Sequence, residues 1–182
     1  MDSSSVYERL IHEMAGGDRE AFRALYTATK DAVYGFALSI LRSREDAEDV
    51  MHDAYIRIYN DAGAYSPHGK PLAWILTIVR NLSLNKIRDA AHTDIIHDDE
   101  LSEFADHEDT IGKATDRMVL ETAMKVLTLE EREIVVLHAL TGYRHREIAE
   151  LLDIPQGTVL SRYNRALGKM KKEISGKGDR ND

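Results

Sequence analysis

Residues 146–172 read REIAELLDIPQGTVLSRYNRALGKMKK and contain the most specific fold signal in the chain. The pattern indicates two short helices separated by only a few residues. Pro155 suits the first turn of the second helix, where its missing N–H costs nothing. A small apolar set can pack the two helices at a steep angle: Ile148, Ala149, Leu152, Ile154 and Val159. We therefore predict a helix-turn-helix, a motif whose second helix enters the major groove of DNA.

The second helix of this pair is basic. Between Gln156 and Lys172 there are five basic residues and no acidic ones. A solvated basic helix face is a common alternative, but the lack of acidic residues and the preceding turn favour DNA contact. Ser161, Asn164 and Arg165 can reach base edges, and lysines suit phosphates. The residues predicted to bind duplex DNA are Thr158, Ser161, Arg162, Asn164, Arg165 and Lys169.

The first 88 residues predict three helices. Apolar residues recur every three to four positions in three segments, which is the spacing of one helical face. Asp18 can cap the first of these helices and Ser43 the second. Glycines and prolines mark a loop at Gly63–Pro71. The third helix is expected over 72–88, with Ile87 on its apolar stripe.

The C-terminal part has helix signals of its own. Thr128 and Glu131 form a capping box, in which each side chain can bond to the other residue's backbone N–H. The helix that follows is expected to stop at Gly142. Before this helix, Val126 and Leu127 are expected to face inward. No alternating strand pattern occurs anywhere in the sequence, so the predicted fold class is all-α.

The acidic residues are concentrated between the two helical parts. The net charge is −8, and residues 89–117 hold ten acidic and two basic residues, while the flanking parts are close to neutral. We predict two small helical domains, at 1–88 and 118–182, joined by an acidic linker that is extended or only transiently helical. A charged connector with no role of its own is the alternative.

The composition excludes several classes of function. The chain has no cysteine, which excludes disulfides, thiolate metal sites and cysteine nucleophiles. Its eight histidines show no tight ligand spacing, so we predict no metal site and no cofactor. A phosphate loop and a serine elbow are also missing, which argues against an enzyme. No secretion signal or membrane-length apolar run is visible, so the expected location is the cytoplasm.

An acidic stripe lies near the start of the second predicted helix. Asp46, Asp49 and Asp53 occupy positions i, i+3 and i+7, and Glu45 and Glu48 flank them. Paired carboxylates can perform acid–base catalysis or bind a metal. Acidic residues near a helix start are more often solvated and favoured by the helix dipole. Docking onto a basic partner surface is the third interpretation.

Two long blocks of the sequence resemble a known family. The run DREAFRALYTATKDAVYGFALSILRSREDAEDVMHDAYIRIY (18–59), followed by PLAWILTIVRNLSLNKIR (71–88), resembles the second conserved region of extracytoplasmic-function sigma factors of the sigma-70 family. The block LTLEEREIVVLHALTGYRHREIAELLDIPQGTVLSRYNRALGKMKK (127–172) is similar to their fourth region. The order, spacing and joint presence of the two blocks make the resemblance specific.

The resemblance implies a role for each part. The loop 65–71 and the start of the next helix would bind the single-stranded minus-ten element, by base stacking and polar contacts. Their contact residues would be Tyr65, His68, Lys70, Arg80, Asn81 and Arg88. The helix-turn-helix would read the minus-thirty-five element in duplex DNA. The residues that would bind the clamp helices of the RNA polymerase β′ subunit are Asp46, Asp49, His52 and Asp53.

The partners implied by the resemblance are core RNA polymerase (β′ clamp helices and β subunit), promoter DNA and an anti-sigma factor. The linker would thread toward the polymerase active centre, where a basic channel for nucleic acid accepts an acidic segment. The chain would be a monomer when free, with no membrane insertion. Trp74 lies among apolar neighbours and is interpreted mainly as core.

Four positions depart from the common pattern of the family. His52 stands where glutamine is frequent, and Arg144 and His145 replace a Ser-Tyr pair, which removes a hydroxyl cap. Asp153 stands at a turn position often held by glycine, and aspartate tolerates the left-handed conformation better than most residues. These changes preserve the fold but leave open the promoter preference and the phosphate contacts near Arg144.

A conventional helix-turn-helix regulator is the main rival interpretation. Such a protein would bind duplex DNA alone, as a dimer at a palindrome. A sigma factor would instead be a monomer that binds core polymerase tightly and free promoter DNA weakly. The acidic stripe and the aromatic, basic loop favour the sigma factor, because a repressor needs neither. A helical adaptor or anti-sigma-type protein would not explain the basic recognition helix.

Overall fold

The computed structural model describes residues 3–67, 69–92 and 123–178, so His68 and the predicted linker beyond residue 92 lie outside the described residues. All regular elements in the described residues are helical, which confirms the all-α prediction. The chain forms two compact units. The first contains α1 (Ser3–Ala15), α2 (Arg19–Leu41), α3 (Arg44–Asp61) and α4 (Pro71–His92). The second contains α5 (Leu129–Thr141), α6 (His145–Leu152) and α7 (Gln156–Gly178).

The helix α1 is an element that the sequence patterns did not predict. It buries Leu10, Ile11 and Met14 and packs against α2. Gly17 ends the turn after α1 with φ of 93°, in the left-handed region that glycine adopts without strain. The first unit is therefore a bundle of four α helices, with α1 closing one side of the core formed by α2, α3 and α4.

Side-chain caps fix where α2 and α3 begin, as the sequence predicted. Asp18 Oδ1 accepts hydrogen bonds from the backbone N–H groups of Glu20 (2.8 Å) and Ala21 (3.2 Å). Ser43 Oγ accepts one from the N–H of Asp46, at 3.2 Å. Each cap satisfies backbone donors that have no partner within the helix. The largest fully buried side chains that α2, α3 and α4 supply to the core are Leu25, Val33, Phe36, Ile58, Ile75 and Leu76.

The helix α4 is longer than expected, and its last turns are exposed. The prediction that it ends at Arg88 is wrong, because α4 continues to His92 and includes the first residues assigned to the linker. Residues 89–92 read DAAH and contain no glycine or proline, so acidic composition alone does not stop the helix. Ile87 is 39% exposed instead of inward, because the end of α4 extends past the core.

The second unit has the predicted helix-turn-helix. The capping box of Thr128 and Glu131 opens α5, and Gly142 ends it with φ of 67°. Ile148 of α6 and Val159 of α7 are fully buried together with other apolar residues of the unit. Leu127 is buried as expected, but Val126 is 39% exposed and does not face inward. The helical turn at 123–125 ends beside it, so its position is no longer set by a helical face.

Candidate nucleic-acid and partner interfaces

The turn between α6 and α7 sets the angle of the recognition helix α7. Asp153 adopts the left-handed conformation (φ 52°, ψ 49°), as its position in the turn predicted, and its N–H donates to the carbonyl of Ala149. Glu147 accepts a 2.9 Å hydrogen bond from the backbone N–H of Arg144. The Arg144 side chain has no acceptor atom, so it cannot form the return bond of a capping box. The start of α6 is thus capped by one bond.

The predicted DNA-binding residues of α7 fall into two groups. Val159 and Ala166 mark the buried side of the helix. At about 100° per residue, Ser161, Asn164 and Arg165 project away from that side, and all three are exposed. The other group lies on the flank of the helix, where the side chains are half-buried: Thr158, Arg162 and Lys169.

Lys169 is held by a buried carboxylate of α5. Its Nζ lies 2.7 Å from Glu131 Oε2, and the Glu131 side chain is 2% exposed. The same oxygen accepts the Thr128 backbone N–H at 3.0 Å. Burial raises the pKa of Glu131, but the bonds from Lys169 and Thr128 outweigh burial and hold the pKa below its usual value. The pair therefore ties α7 to the start of α5.

Glu130 lies beside this pair and attracts a second recognition-helix cation. Its own backbone N–H and the Thr128 hydroxyl (2.9 Å) bond to the carboxylate, and they lower the pKa of Glu130 with help from the charge of Arg162. The N-terminal turn of α5 thus presents two carboxylates to the flank of α7. The sequence showed these glutamates only as parts of a helix start.

Three aromatic rings join the helices of the second unit. The His145 ring lies 4.8 Å from the Tyr163 ring and 5.6 Å from the His138 ring, measured between centroids. His138 Nδ1 lies 2.7 Å from the Tyr143 carbonyl oxygen, which fixes the ring at the end of α5. His145 is half-buried in this cluster. His145 therefore contributes to the packing between α5, α6 and α7. The neighbouring Arg144 is exposed.

In the first unit, the loop predicted to bind single-stranded DNA borders a cleft on α4. The Tyr65 ring packs on the Trp74 ring at 5.0 Å between centroids. Trp74 is half-buried and lines an open cleft of about 410 Å³ with Asn81, so it is not a core residue only. Trp74 thus contacts Tyr65 and shares the cleft with Asn81. The cleft is also lined by Arg57, Asp61, Ile78, Leu82, Leu84 and Asn85.

The other residues predicted to bind single-stranded DNA also lie in the first unit. Lys70 and Arg80 are half-buried, whereas Arg88 is exposed. Arg88 donates a 3.1 Å hydrogen bond to the side chain of Asn85 and lies 3.8 Å from Asp89. Arg88 lies about 10 Å further along α4 than Asn81, and its bond to Asn85 places it next to the end of the cleft that Asn85 lines.

A lysine of α4 neutralises part of the acidic stripe. Lys86 Nζ lies 2.9 Å from Asp46 Oδ1 and 2.8 Å from Asp49 Oδ2. Partial burial lowers the pKa of Lys86, but its bonds to the two carboxylates outweigh that effect and raise the pKa above its usual value. His52 and Asp53 are exposed. The stripe therefore has an internally paired end and an open end.

An aromatic groove between α2 and α3 adjoins the open end of the stripe. Its volume is about 750 Å³, and His52 is one of its lining residues. Ile56 and Tyr59 lie in it and are 55% and 41% exposed. Phe22 packs edge-on against Tyr59, at 5.5 Å between centroids. The sequence patterns did not predict this groove. Ile56 and Tyr59 lie outside the buried stripe of α3, and two large apolar residues in that position could have indicated it.

The described residues show neither a metal site nor a membrane span. No group of three histidine, aspartate or glutamate side chains among them is placed to hold a metal ion. Of the helices in the described parts, none is long and apolar enough to cross a membrane.

Two family models match the chain. The Sigma-70 region 2 model matches residues 25–93, which hold most of α2 together with α3 and α4. The Sigma-70, region 4 model matches residues 117–170, which hold α5, α6 and much of α7. The two matches follow each other in the order in which the two units occur.

Similar proteins are sigma factors. The ECF RNA polymerase sigma factor SigK of Mycobacterium sp. (strain KMS) is 31% identical over 129 residues, which are 70% of this chain and 61% of that protein. This chain thus covers less than two thirds of the length of that relative. The ECF RNA polymerase sigma factor SigW of Bacillus subtilis (strain 168) is 26% identical over 186 residues, which cover 93% of this chain and 97% of SigW.

Two solved structures share the fold. CnrH, in complex with the cytosolic domain of CnrY, has a TM-score of 0.66 and 22% identity, over 94% of this chain and 98% of that chain. The sigma factor RpoE, in complex with the anti-sigma factor NepR from Bartonella quintana, has a TM-score of 0.70 and 20% identity, over 85% and 96%. The region matches, the relatives and the helical architecture together show that this chain belongs to the extracytoplasmic-function group of the sigma-70 family.

Proposed function

We propose that this chain directs core RNA polymerase to specific promoters and helps to open them for transcription initiation. The observation that carries this proposal is the pairing of two units with different surfaces. One has a basic recognition helix with exposed polar side chains. The other has an aromatic loop with a cleft on α4, and an aromatic groove between α2 and α3. A free-standing regulator would need only the first of these units.

The helix-turn-helix is suited to the minus-thirty-five element as duplex DNA. Ser161, Asn164 and Arg165 are exposed on the side of α7 away from the core, so they can reach base edges in the major groove. Thr158 and Arg162 lie on the flank and fit contacts to the DNA backbone. Lys169 can contact a phosphate only in competition with Glu131, which already holds its ammonium group.

The loop and cleft of the first unit are suited to the unpaired minus-ten strand. Tyr65 and Trp74 form an aromatic pair at the loop, and bases of any sequence can stack on such rings. Asn81 beside the cleft can bond to a base edge. Lys70 and Arg80 supply positive charge near the same surface. Arg88 lies further along α4, where it can contact the DNA strand beyond the cleft. We include His68 in this set from its sequence position alone.

Core polymerase is the partner that we assign to the α2–α3 groove and the open end of the acidic stripe. The β′ clamp helices would place apolar side chains against Ile56 and Tyr59 and basic side chains near Asp53. Asp49 stays 63% exposed beside Lys86 and can join this contact, whereas the Asp46 side chain is 23% exposed. The β subunit would contact the second unit.

The remaining partners and properties follow from the family. We infer that an anti-sigma factor inhibits this chain, because CnrH and RpoE are similar in fold and were solved with CnrY and the anti-sigma factor NepR. Promoter opening would be driven by binding energy alone, so the chain would perform no covalent chemistry and need no cofactor. It would act in the cytoplasm as a monomer when free.

Binding to core polymerase tests the docking assignment. We expect the Ile56→Ala, Tyr59→Ala double variant to bind core polymerase at least tenfold more weakly, because two exposed apolar side chains leave the groove. Ile87→Ala in α4 removes an exposed apolar side chain from the same unit, 39% exposed and outside the groove, and serves as the matched control. Unchanged affinity of the double variant in a titration with labelled core enzyme would refute the assignment.

A further inference from the structure

One face of α1 is bonded to the loop between α3 and α4. Glu8 Oε1 accepts hydrogen bonds from the Tyr65 hydroxyl (3.2 Å) and from the Gly69 backbone N–H (2.8 Å). Ser4 Oγ donates to the Gly69 carbonyl at 2.9 Å. Ser4 and Glu8 are four residues apart, so they lie on the same side of the helix. Both ends of the segment 65–69 are therefore attached to α1.

At the start of this loop, the Tyr65 backbone N–H donates to the Ala62 carbonyl at 3.2 Å. The loop follows the short 3₁₀ turn Ala62–Ala64 and precedes α4, and Gly69 adopts φ of 72°, in the left-handed region. The bonds from α1 engage both polar backbone groups of Gly69. At the other end, the Glu8 bond restricts rotation of the Tyr65 phenol, whose ring rests on Trp74. Holding a recognition loop in its bound shape lowers the entropy lost on binding.

We propose that Glu8, assisted by Ser4, is a positioning residue for recognition of the unpaired minus-ten strand. This inference rests on the proposed function of the loop. It extends promoter recognition to α1, which precedes residues 25–93 matched by the region 2 model. Glu8 touches no base in this account. It acts through Tyr65 and Gly69, which it holds in place for the strand.

An inhibitory role is the opposite possibility, because a carboxylate repels DNA phosphates. The geometry favours positioning. Glu8 is half-buried and turned to the loop, and one of its oxygens takes two donors at once. The bond from the Tyr65 hydroxyl restrains the ring that lies against Trp74, at 5.0 Å between centroids and 52° between ring planes. The two roles predict opposite changes in DNA recognition when Glu8 is removed.

Trp74 offers a direct readout of the loop, because it is the single tryptophan of the chain. In the free full-length protein, we expect Glu8→Ala to increase acrylamide quenching of Trp74 fluorescence, since the Tyr65 ring is released. Glu8→Gln keeps an acceptor oxygen and should behave like the wild type. Glu13→Ala removes a carboxylate from the same helix, five residues further on, and is the control. Unchanged quenching in Glu8→Ala would overturn the proposal without reference to DNA.

The second arm measures strand recognition by holoenzyme assembled from core polymerase and the full chain. The probe is a fluorescent non-template oligonucleotide with either the mapped minus-ten sequence or a scrambled one. We expect Glu8→Ala to lower the ratio of the two affinities about fivefold, the scale of the net contribution of one ordinary hydrogen bond. Glu8→Gln should restore most of this ratio, and Glu13→Ala should leave it unchanged.

The outcomes separate the inference from the proposed function. A ratio that stays constant or rises in Glu8→Ala, while wild-type holoenzyme discriminates, overturns the positioning role. Failure of wild-type holoenzyme to discriminate contradicts the proposed function of the loop, and with it the positioning role. In that case the Trp74 measurement still shows whether Glu8 holds the loop.

Discussion

Among individual residues, ion pairs between helices decide which charged side chains are available to partners. Lys86 forms ion pairs with Asp46 and Asp49, and Glu131 forms one with Lys169. The first group is partly solvated, so its contribution to stability is small. The Glu131 carboxylate is buried, so leaving it without Lys169 is costly. We therefore expect Lys169 to matter more for the position of α7 than for the proposed contact with DNA.

Arg165 is the residue whose removal tests duplex recognition. We expect Arg165→Ala to weaken binding to the minus-thirty-five element by about 1–3 kcal/mol and to relax its sequence preference, because a base-edge contact is lost. Lys171→Ala removes a charge from the same helix and should weaken binding equally for all sequences. Holoenzyme binding to matched and mismatched duplexes gives both quantities. An unchanged preference in Arg165→Ala would show that this residue does not read a base.

Lys169→Met tests the buried pair through stability. We expect the variant to lose about 1–3 kcal/mol in the free energy of unfolding at pH 7, because Glu131 is left buried without its cation. Lys172→Met, at an exposed lysine of α7, should change this energy little. Urea unfolding of both variants measures the difference. Equal stability of the two variants would contradict the structural role of Lys169.

The same pair gives stability a pH dependence of known sign. The pKa of Glu131 in the folded protein is lower than its usual value of 4.5, so its ionised form is stabilised by folding. The contribution is complete above that value and is lost as the pH falls through the lower folded pKa. The difference between wild type and Lys169→Met should thus be constant near neutral pH and shrink in acid. A difference that grows in acid would contradict this pairing.

For the helical elements, turn residues determine how helices meet. Asp153 is in the left-handed region between α6 and α7, where a side chain is disfavoured and glycine is not. We expect Asp153→Gly to raise the free energy of unfolding by about 0.5 kcal/mol and Asp153→Val to lower it by about 1–2 kcal/mol. Thermal unfolding measures both effects. Destabilisation by glycine equal to that by valine would mean that Asp153 has a role besides its conformation.

Elements with strong local signals could be predicted from the sequence. Asp18, Ser43 and Thr128 mark helix starts because capping involves residues close in the chain. The helix α1 was missed, although Leu10, Ile11 and Met14 have helical spacing. The groove between α2 and α3 and the Lys86 pairing join helices that are distant in sequence. A pattern within one helix does not show which residues of another helix face it, so these features needed the structure.

In the whole molecule, the proposed function assigns a different part of promoter recognition to each of the two units. Each unit has its own buried core and a distinct surface, basic on α7 and aromatic at the loop and groove of the first unit. The excess negative charge lies in the sequence stretch 89–117, outside the loop, the groove and α7. Neither unit therefore has to bind nucleic acid against the full net charge of −8. In this account, two weak and separate DNA contacts would become effective when polymerase holds both units.

Transcription in vitro tests the central claim most directly. Purified core RNA polymerase is supplied with a genomic promoter library, with and without this protein, and transcript starts are mapped. We predict new, discrete starts that require the protein and share two upstream sequence elements. The absence of such starts, together with the absence of a complex with core polymerase, would contradict the account and favour a free-standing DNA-binding regulator.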